Sequence, residues 1–234
     1  MTTDTPLGVL ELRDRGSGFI RRRVAAYLPA PGDIEVTPNQ VREWGLRTGD
    51  EIAGEAGRGN GRGRGPTLAR VTAVNGRPPE QIRQRPDFGT LGAVHPNEPL
   101  WLDFGQMRLG QRDFTNRIID LPCPFGKGQR ALIVAPAKAG KTMVLQAVAE
   151  GLVTNHPGAH LFILLVDERP EEVTEMECGG WGEVVASSFD FPADRHVAVA
   201  ELTLERARRR VEQGEDVVII LDSITRLARA YNAV

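Results

Sequence analysis

The chain has 234 residues, of which 41% are hydrophobic and 26% charged, with 26 glycines and 16 prolines; this is enough to bury one large or two small cores and excludes a disordered tail. Cys123 and Cys178 show neither CxxC nor Cys/His spacing, which excludes a disulfide framework and a metal site and leaves buried or incidental thiols. The net charge is −2 but uneven, because residues 1–86 carry 14 arginines, no lysine and ten acidic residues while the remainder carries 15 basic and 21 acidic ones. No run approaches the ~18 apolar residues of a membrane-spanning helix, and the N-terminus lacks a basic stretch followed by an apolar one, so a soluble, cytoplasmic protein with no membrane partner is expected.

Short β-type runs over Gly8–Leu12, Gly18–Arg22, Asp33–Val36, Asp50–Ala53 and Thr67–Val74 are punctuated by Gly and Pro. That rhythm predicts a small all-β barrel of the OB type. Between the third and fourth runs, Thr37 as N-cap, Pro38 at the first helical position and Gly45 near the C-cap predict one short helix. Gly54–Pro66 (GEAGRGNGRGRGP) cannot pack a core and is expected to be a flexible loop. Residues 75–99, rich in Pro, Arg and Gln, read as a linker between a domain over 1–74 and another over 100–234.

From residue 100 strands alternate with helices, which predicts an α/β unit with a parallel sheet covered on both faces. The strands are expected at Ala131–Ala135, His160–Val166 and Val217–Leu221, and the helices at Lys141–Val153, about Pro192–Gln213 and Ser223–Asn232. In the middle helix Val197, Ala200, Leu204, Ala207 and Val211 form an apolar stripe. Arg206, Arg208, Arg209 and Arg210 load its last turns, where the macrodipole favours cations, so a solvated helix end is expected, with a nucleic-acid patch as the alternative.

The three lysines, Lys127, Lys138 and Lys141, fall in one short stretch. There the predicted strand Ala131–Ala135 runs into Pro136-Ala137-Lys138-Ala139-Gly140-Lys141-Thr142 and then a helix, the context of a P-loop. The chemistry needs backbone N–H groups around an anion at a helix N-terminus, a Gly for close approach, a compact ammonium at the terminal phosphates and a hydroxyl for Mg²⁺. Gly140, Lys141 and Thr142 supply these, although Ala135 stands where the general pattern has Gly. Downstream, Val217–Leu221 ends in Asp222, a Walker B carboxylate for the Mg²⁺ shell, and the strand before it ends in Asp167-Glu168-Arg169, where Glu168 can polarise an attacking water. Their order describes a RecA-like core, a P-loop ATPase with ATP and Mg²⁺ as ligands.

The runs GQRALIVAPAKAGKTMVLQ, LLVDERPEEVTEM, GEVVASSFDFPADRH and DVVIILDSITRLARAYN resemble the Rho family of bacterial transcription termination factors, hexameric RNA-dependent ATPases and 5′→3′ RNA translocases. The front, with GVLEL, GFIR and YLPAPGDIEVTPNQVREWGLRTGD, is similar to that family's OB-type RNA-binding domain, and Ala135 is what the family carries. The resemblance implies that Lys138, Ala139, Gly140, Lys141 and Thr142 engage phosphates and Mg²⁺, that Met143 lies against the adenine, that Glu168 is the catalytic base, Arg169 a neighbouring switch residue and Asp222 the Walker B carboxylate. It implies single-stranded RNA held by Phe19 as a stacking aromatic, Arg21 and Asp33, together with an RNA polymerase elongation complex as partner and a homo-hexamer.

Three departures bear on this. Ser17 and Glu35 stand where the family has aromatics and a third aromatic is lost in GRGRGP, so Arg58, Arg62 and Arg64 are expected to compensate through phosphate contacts, which bind without reading sequence. Glu177–Gly182 replaces a more basic segment. The family's N-terminal helical subdomain is not seen, and its remaining strands, central RNA loops and arginine finger are expected beyond Val234, which leaves the sheet incomplete. An RNA-dependent ATPase is therefore weighed against a truncated module that binds RNA and ATP without turnover. A different RecA-type ATPase such as an F1-like subunit would carry Gly at position 135.

Overall fold

Period-two alternation along the front of the chain produces a closed surface. The structure, a computed structural model, describes residues 6–57, 65–108, 111–136 and 139–234. Strands Pro6–Leu12 (β1), Gly18–Arg21 (β2), Ile34–Val36 (β3), Glu51–Gly57 (β4) and Thr67–Val74 (β5) form a barrel in the order β1-β2-β3-β5-β4, which β4 closes by pairing back onto β1. Leu10, Ile20, Ile34, Val36, Ile52, Leu68 and Val74 point inward as its core. The helix Pro38–Trp44 (α1) has the expected cap at Thr37, completed by Gln40 into a reciprocal capping box, and closes at Gly45. β4 runs past Gly54, where a loop was expected, because its ladder with β5 continues to Gly57 opposite Thr67. The remainder of the expected arginine loop, with Arg58, Arg62 and Arg64, lies outside the described residues.

The segment after the barrel is tied down. A single turn, Pro79–Ile82 (α2), puts Ile82 into the barrel core, and Arg85 makes two hydrogen bonds to the buried Asp50 at 2.5 and 2.7 Å. Small pairings follow, Pro99–Leu100 (β6) with Phe125–Gly126 (β9) and Met107–Arg108 (β7) with Gln111–Arg112 (β8), together with the helix Thr115–Asp120 (α3).

The back half is built on a parallel sheet. His160–Glu168 (β10) lies between Glu183–Ser188 (β11) and Val217–Asp222 (β12). Helix Lys141–Asn155 (α4) buries Leu145, Val148, Ala149 and Leu152 against Leu161, Ile163 and Leu165. Helix Ala193–Val211 (α6) covers the other face over Phe162, Leu164 and Val166, and Ile224–Ala233 (α7) packs beside it. The helix Pro170–Gly179 (α5) and β11 were not foreseen from sequence. The Gly-rich stretch after α5 is its C-cap turn, with Gly180 left-handed and Trp181 folded onto the core.

Three expectations are corrected. Ala131–Ala135 is not a strand: no described residue pairs with it, and Leu132 and Val134 are 69% and 84% exposed. Strand conformation is held by ladder bonds to a neighbour, and a cavity of about 850 Å³ separates this run from β12. The buried face of α6 is set by His196, Val199, Ala200, Thr203, Arg206 and Ala207, and Leu204 is exposed. Arg206 and Arg209 are buried, not solvated, because the barrel packs on this helix. Of the two alternatives for the cysteines, the structure excludes burial: Cys123 and Cys178 are both free and exposed.

The approach of barrel to helix is close. At Gly49 (φ 93°) a Cβ would lie 2.4 Å from the Glu205 carbonyl carbon, so a side chain there would force the two apart. Beside it, the fully buried Glu212 faces Arg47 at 3.1 Å, Arg85 at 3.3 Å and Arg209 at 3.1 Å. Removing a carboxylate from water is costly unless several donors surround it. These three guanidiniums meet that condition, and two of them, Arg47 and Arg85, join the two halves.

Candidate nucleotide and nucleic-acid sites

The N-terminus of α4 starts at Gly140, whose φ of 88° turns the chain into the helix, and no side chain caps it. The amides of the first turn therefore lack intrahelical partners and face the cavity with the positive end of the helix dipole. Gly140, Lys141, Thr142 and Met143 line that cavity, with Asp222 and Ser223 from the end of β12 opposite. Lys141 Nζ forms an ion pair with Asp222 Oδ1. Met143 is exposed. Ala139 is exposed at the loop's end, and Lys138 lies outside the described residues.

Glu168 stands one strand away. A bulge in the pairing of β10 with β11 between Val166 and Glu168, with Asp167 left-handed at φ 58°, turns the Glu168 side chain inward. It is 3% exposed. Burial, and after it a hydrogen bond with Glu172, pushes its carboxyl up to about 7 against the opposing pull of the Arg226 guanidinium. Arg226, on α7, reaches Glu168 Oε2 at 3.4 Å and Asp167 Oδ2 at 3.6 Å. Arg169 is exposed at the N-cap of α5. The structure thus brings Lys141, Thr142 and Asp222 to one cavity and places Glu168 at the same edge of the sheet, outside that cavity's lining. Asp167, Glu172 and Arg226 complete this edge; the acidic pair opening the Pro170 helix was the sequence signal for Glu172.

On the barrel, a groove of about 400 Å³ is lined by Arg13, Phe19, Arg21, Asp33 and the Pro29–Gly32 segment. Two guanidiniums flank the Phe19 ring, Arg13 at 5.7 Å and Arg21 at 5.3 Å from its centroid. Arg21 is buried and held by Glu11 and by Asp33 Oδ2, the latter at 2.5 Å. Asp33 also accepts from the Ala30 amide at 2.9 Å, so it shapes the rim as well as the floor. Glu35 sits directly across from Phe19 on β3, which leaves Phe19 as the aromatic of this groove among the described residues. Arg13 was not picked out from sequence.

Residues 7–80 match the family described as Rho termination factor, RNA-binding domain, and residues 115–234 match the ATP synthase alpha/beta family, nucleotide-binding domain. The chain belongs to the Rho termination factor family. It is 56% identical over 220 residues to transcription termination factor Rho of Gemmatimonas aurantiaca, covering 94% of this chain and 30% of that protein. It is 50% identical over 227 residues to Rho of Cereibacter sphaeroides (97% and 53% covered), and 51% identical over 227 residues to Rho of Escherichia coli K12 (97% and 54% covered). The chain spans about half the length of the latter two relatives and less of the first. An OB-type barrel followed by a RecA-like nucleotide-binding core is the fold of this family and of this structure.

Proposed function

We propose that this chain is the RNA-binding and nucleotide-binding part of a cytoplasmic, Rho-type, RNA-dependent ATPase, which couples ATP hydrolysis to movement along single-stranded RNA and to transcript release from an RNA polymerase elongation complex, working as a homo-hexamer. Residues 1–74 form the RNA-binding domain. Residues 75–99 are a linker that docks on the barrel through Ile82 and Arg85, and 100–234 belong to the ATPase domain. The observation that carries the reading is the convergence of an uncapped helix N-terminus, Lys141 and Asp222 on one cavity, in a chain whose barrel carries an arginine-flanked aromatic groove.

The amides of Gly140–Met143 and the Lys141 ammonium bind the phosphates, with Lys138 beside them, and Met143 lies against the base. Thr142 and Asp222, which line the same cavity, would hold Mg²⁺, which would supply charge neutralisation at the phosphates. Glu168, ionised above about pH 7, orients the attacking water and accepts its proton, while Arg226 keeps the carboxylate directed. Phe19 stacks a base, Arg21 and Asp33 form the floor beneath it, and Arg58, Arg62 and Arg64 bind phosphates. The test measures binding of a fluorescent ATP analogue and of a single-stranded RNA oligomer to the same protein, then phosphate release with and without RNA. Binding of both with RNA-stimulated release is expected of the complete enzyme; binding of both without release by this chain would make it a binding module, and binding of neither would overturn the reading.

A further inference from the structure

The barrel touches the sheet through one buried cluster that the chemistry above does not use. Arg206, whose side chain is 3% exposed, donates to both oxygens of Glu183, at 2.5 and 2.9 Å. Its guanidinium carbon lies 4.7 Å from the centroid of the Tyr27 ring and 5.0 Å from that of Phe162. The Tyr27 hydroxyl donates to the same Glu183 at 2.7 Å, across 156 positions of sequence, and the His160 ring lies 3.7 Å from that carboxylate. Burial pushes the Tyr27 hydroxyl up, so it stays a donor. Burial also disfavours the Glu183 charge, but the neighbouring His160 ring and the hydrogen bonds from Arg206 and Tyr27 hold its carboxyl well below the usual range. The cluster is therefore a permanent set of charge-assisted bonds.

Tyr27 is also strained in backbone, with φ of 59° after Ala26 at 51°. Two successive non-glycine residues in the left-handed region persist only where the surroundings over-determine them. Here Glu183 and Arg206 do so, with Leu28 buried alongside in the same core as Phe162. Immediately beyond lie Pro29–Asp33, the rim of the groove. The hydrogen bonds within the rim are short-range: Ala30 with Asp33, and Pro31 with Arg22. Its long-range ties are the Asp33–Arg21 pair at one end and the Tyr27 anchor at the other.

We infer that Tyr27 is a positioning residue for the nucleic-acid groove: its hydroxyl, seated on Glu183 and Arg206 of the nucleotide-binding half, sets where the Pro29–Asp33 rim stands against Phe19. RNA affinity of the barrel is thus determined in part by residues of the other half. This rests on the reading of the groove as an RNA site. The ring stays against Arg206 in Tyr27→Phe, which removes only the O–H. In the whole chain this variant is expected to weaken binding of a labelled single-stranded RNA oligomer about three- to tenfold, from the value of one hydrogen bond. The slope of log affinity against log salt should stay that of the parent, since every cation that pairs with a phosphate is still in place. ATP-analogue affinity should also match the parent, and the thermal midpoint should fall by only about the few degrees that one lost hydrogen bond accounts for. Phe19→Ala, run in parallel, separates the two ideas. RNA binding weakened by Phe19→Ala but untouched by Tyr27→Phe overturns the positioning role and leaves the groove reading standing; no effect of Phe19→Ala overturns both. A Tyr27→Phe protein that loses ATP binding and thermal stability along with RNA would also overturn it, because the hydroxyl would then be supporting the fold at large.

Discussion

Lys141 and Asp222, 81 positions apart in sequence, share an ion pair in the cleft between α4 and β12. On the proposed ATPase reading, Asp222 is the carboxylate that would hold Mg²⁺, so an incoming nucleotide would take the ammonium over. On that reading, phosphate would draw the ammonium away and Mg²⁺ would give Asp222 a replacement cation, so nucleotide should bind more tightly with Mg²⁺ than without it.

Lys141→Ala is accordingly expected to weaken ATP·Mg²⁺ binding by about 10- to 100-fold, the range of a missing charge-assisted hydrogen bond. Asp222→Asn should behave differently. It frees the ammonium, so Mg²⁺-free ATP binds at least as well as to the parent while the gain on adding Mg²⁺ disappears. Titration of a fluorescent ATP analogue with and without Mg²⁺ checks both, and parent-like binding by Lys141→Ala would show that the loop is not the site.

For RNA, stacking and charge separate experimentally. Phe19→Ala is expected to cost about 1–3 kcal/mol with little change in salt dependence. Replacing Arg58, Arg62 and Arg64 with Ala should flatten the salt slope by about one for each phosphate left without its guanidinium. A filter-binding series from low to moderate salt on pyrimidine and purine oligomers reads both quantities. A flat salt response in the parent, with a large pyrimidine preference, would contradict this division of labour.

Glu168 makes stability depend on pH in a known direction. Its carboxyl sits near 7 in the folded chain because burial disfavours the charge, whereas in the unfolded chain it titrates as an ordinary glutamate. The folded state therefore holds the extra proton between those values, and the stabilisation associated with it is lost as pH rises through about 7. Glu168→Gln cannot ionise, so the stability of the variant relative to the parent should increase from pH 5 to pH 8. Urea denaturation of both proteins at the two pH values measures the change, and a constant difference would mean that Glu168 is charged throughout.

The junction of the two halves gives the largest expected stability effect. Arg85→Met leaves Asp50 and Glu212 buried with fewer donors, and should cost about 3–5 kcal/mol, the range for breaking a buried ion pair. Thr37→Ala removes a helix cap from the barrel surface and should cost only about 1 kcal/mol. Denaturant midpoints rank the two, and equal effects would show that Arg85 is not the tie the structure makes it.

Local chemistry was enough to read α1, since Thr37, Pro38, Gln40 and Gly45 act within one turn of their own helix. It was enough for the barrel strands, whose alternation is a property of neighbouring residues, and to put Lys141 and Thr142 at the start of a helix and Asp222 and Glu168 at the ends of strands. The run Ala131–Ala135 looks like a buried strand by the same rule and is not one, because a strand exists only with a ladder partner and sequence composition does not supply one. Tertiary packing alone decided that Arg206 and Arg209 are interior: a helix end rich in arginine is solvated unless another unit lies on it, and here the barrel does. The same packing set Tyr27 on Glu183, since residues more than a hundred positions apart leave no local pattern from which their meeting can be read, while the bulge that turns Glu168 inward belongs to the pairing of β10 with β11.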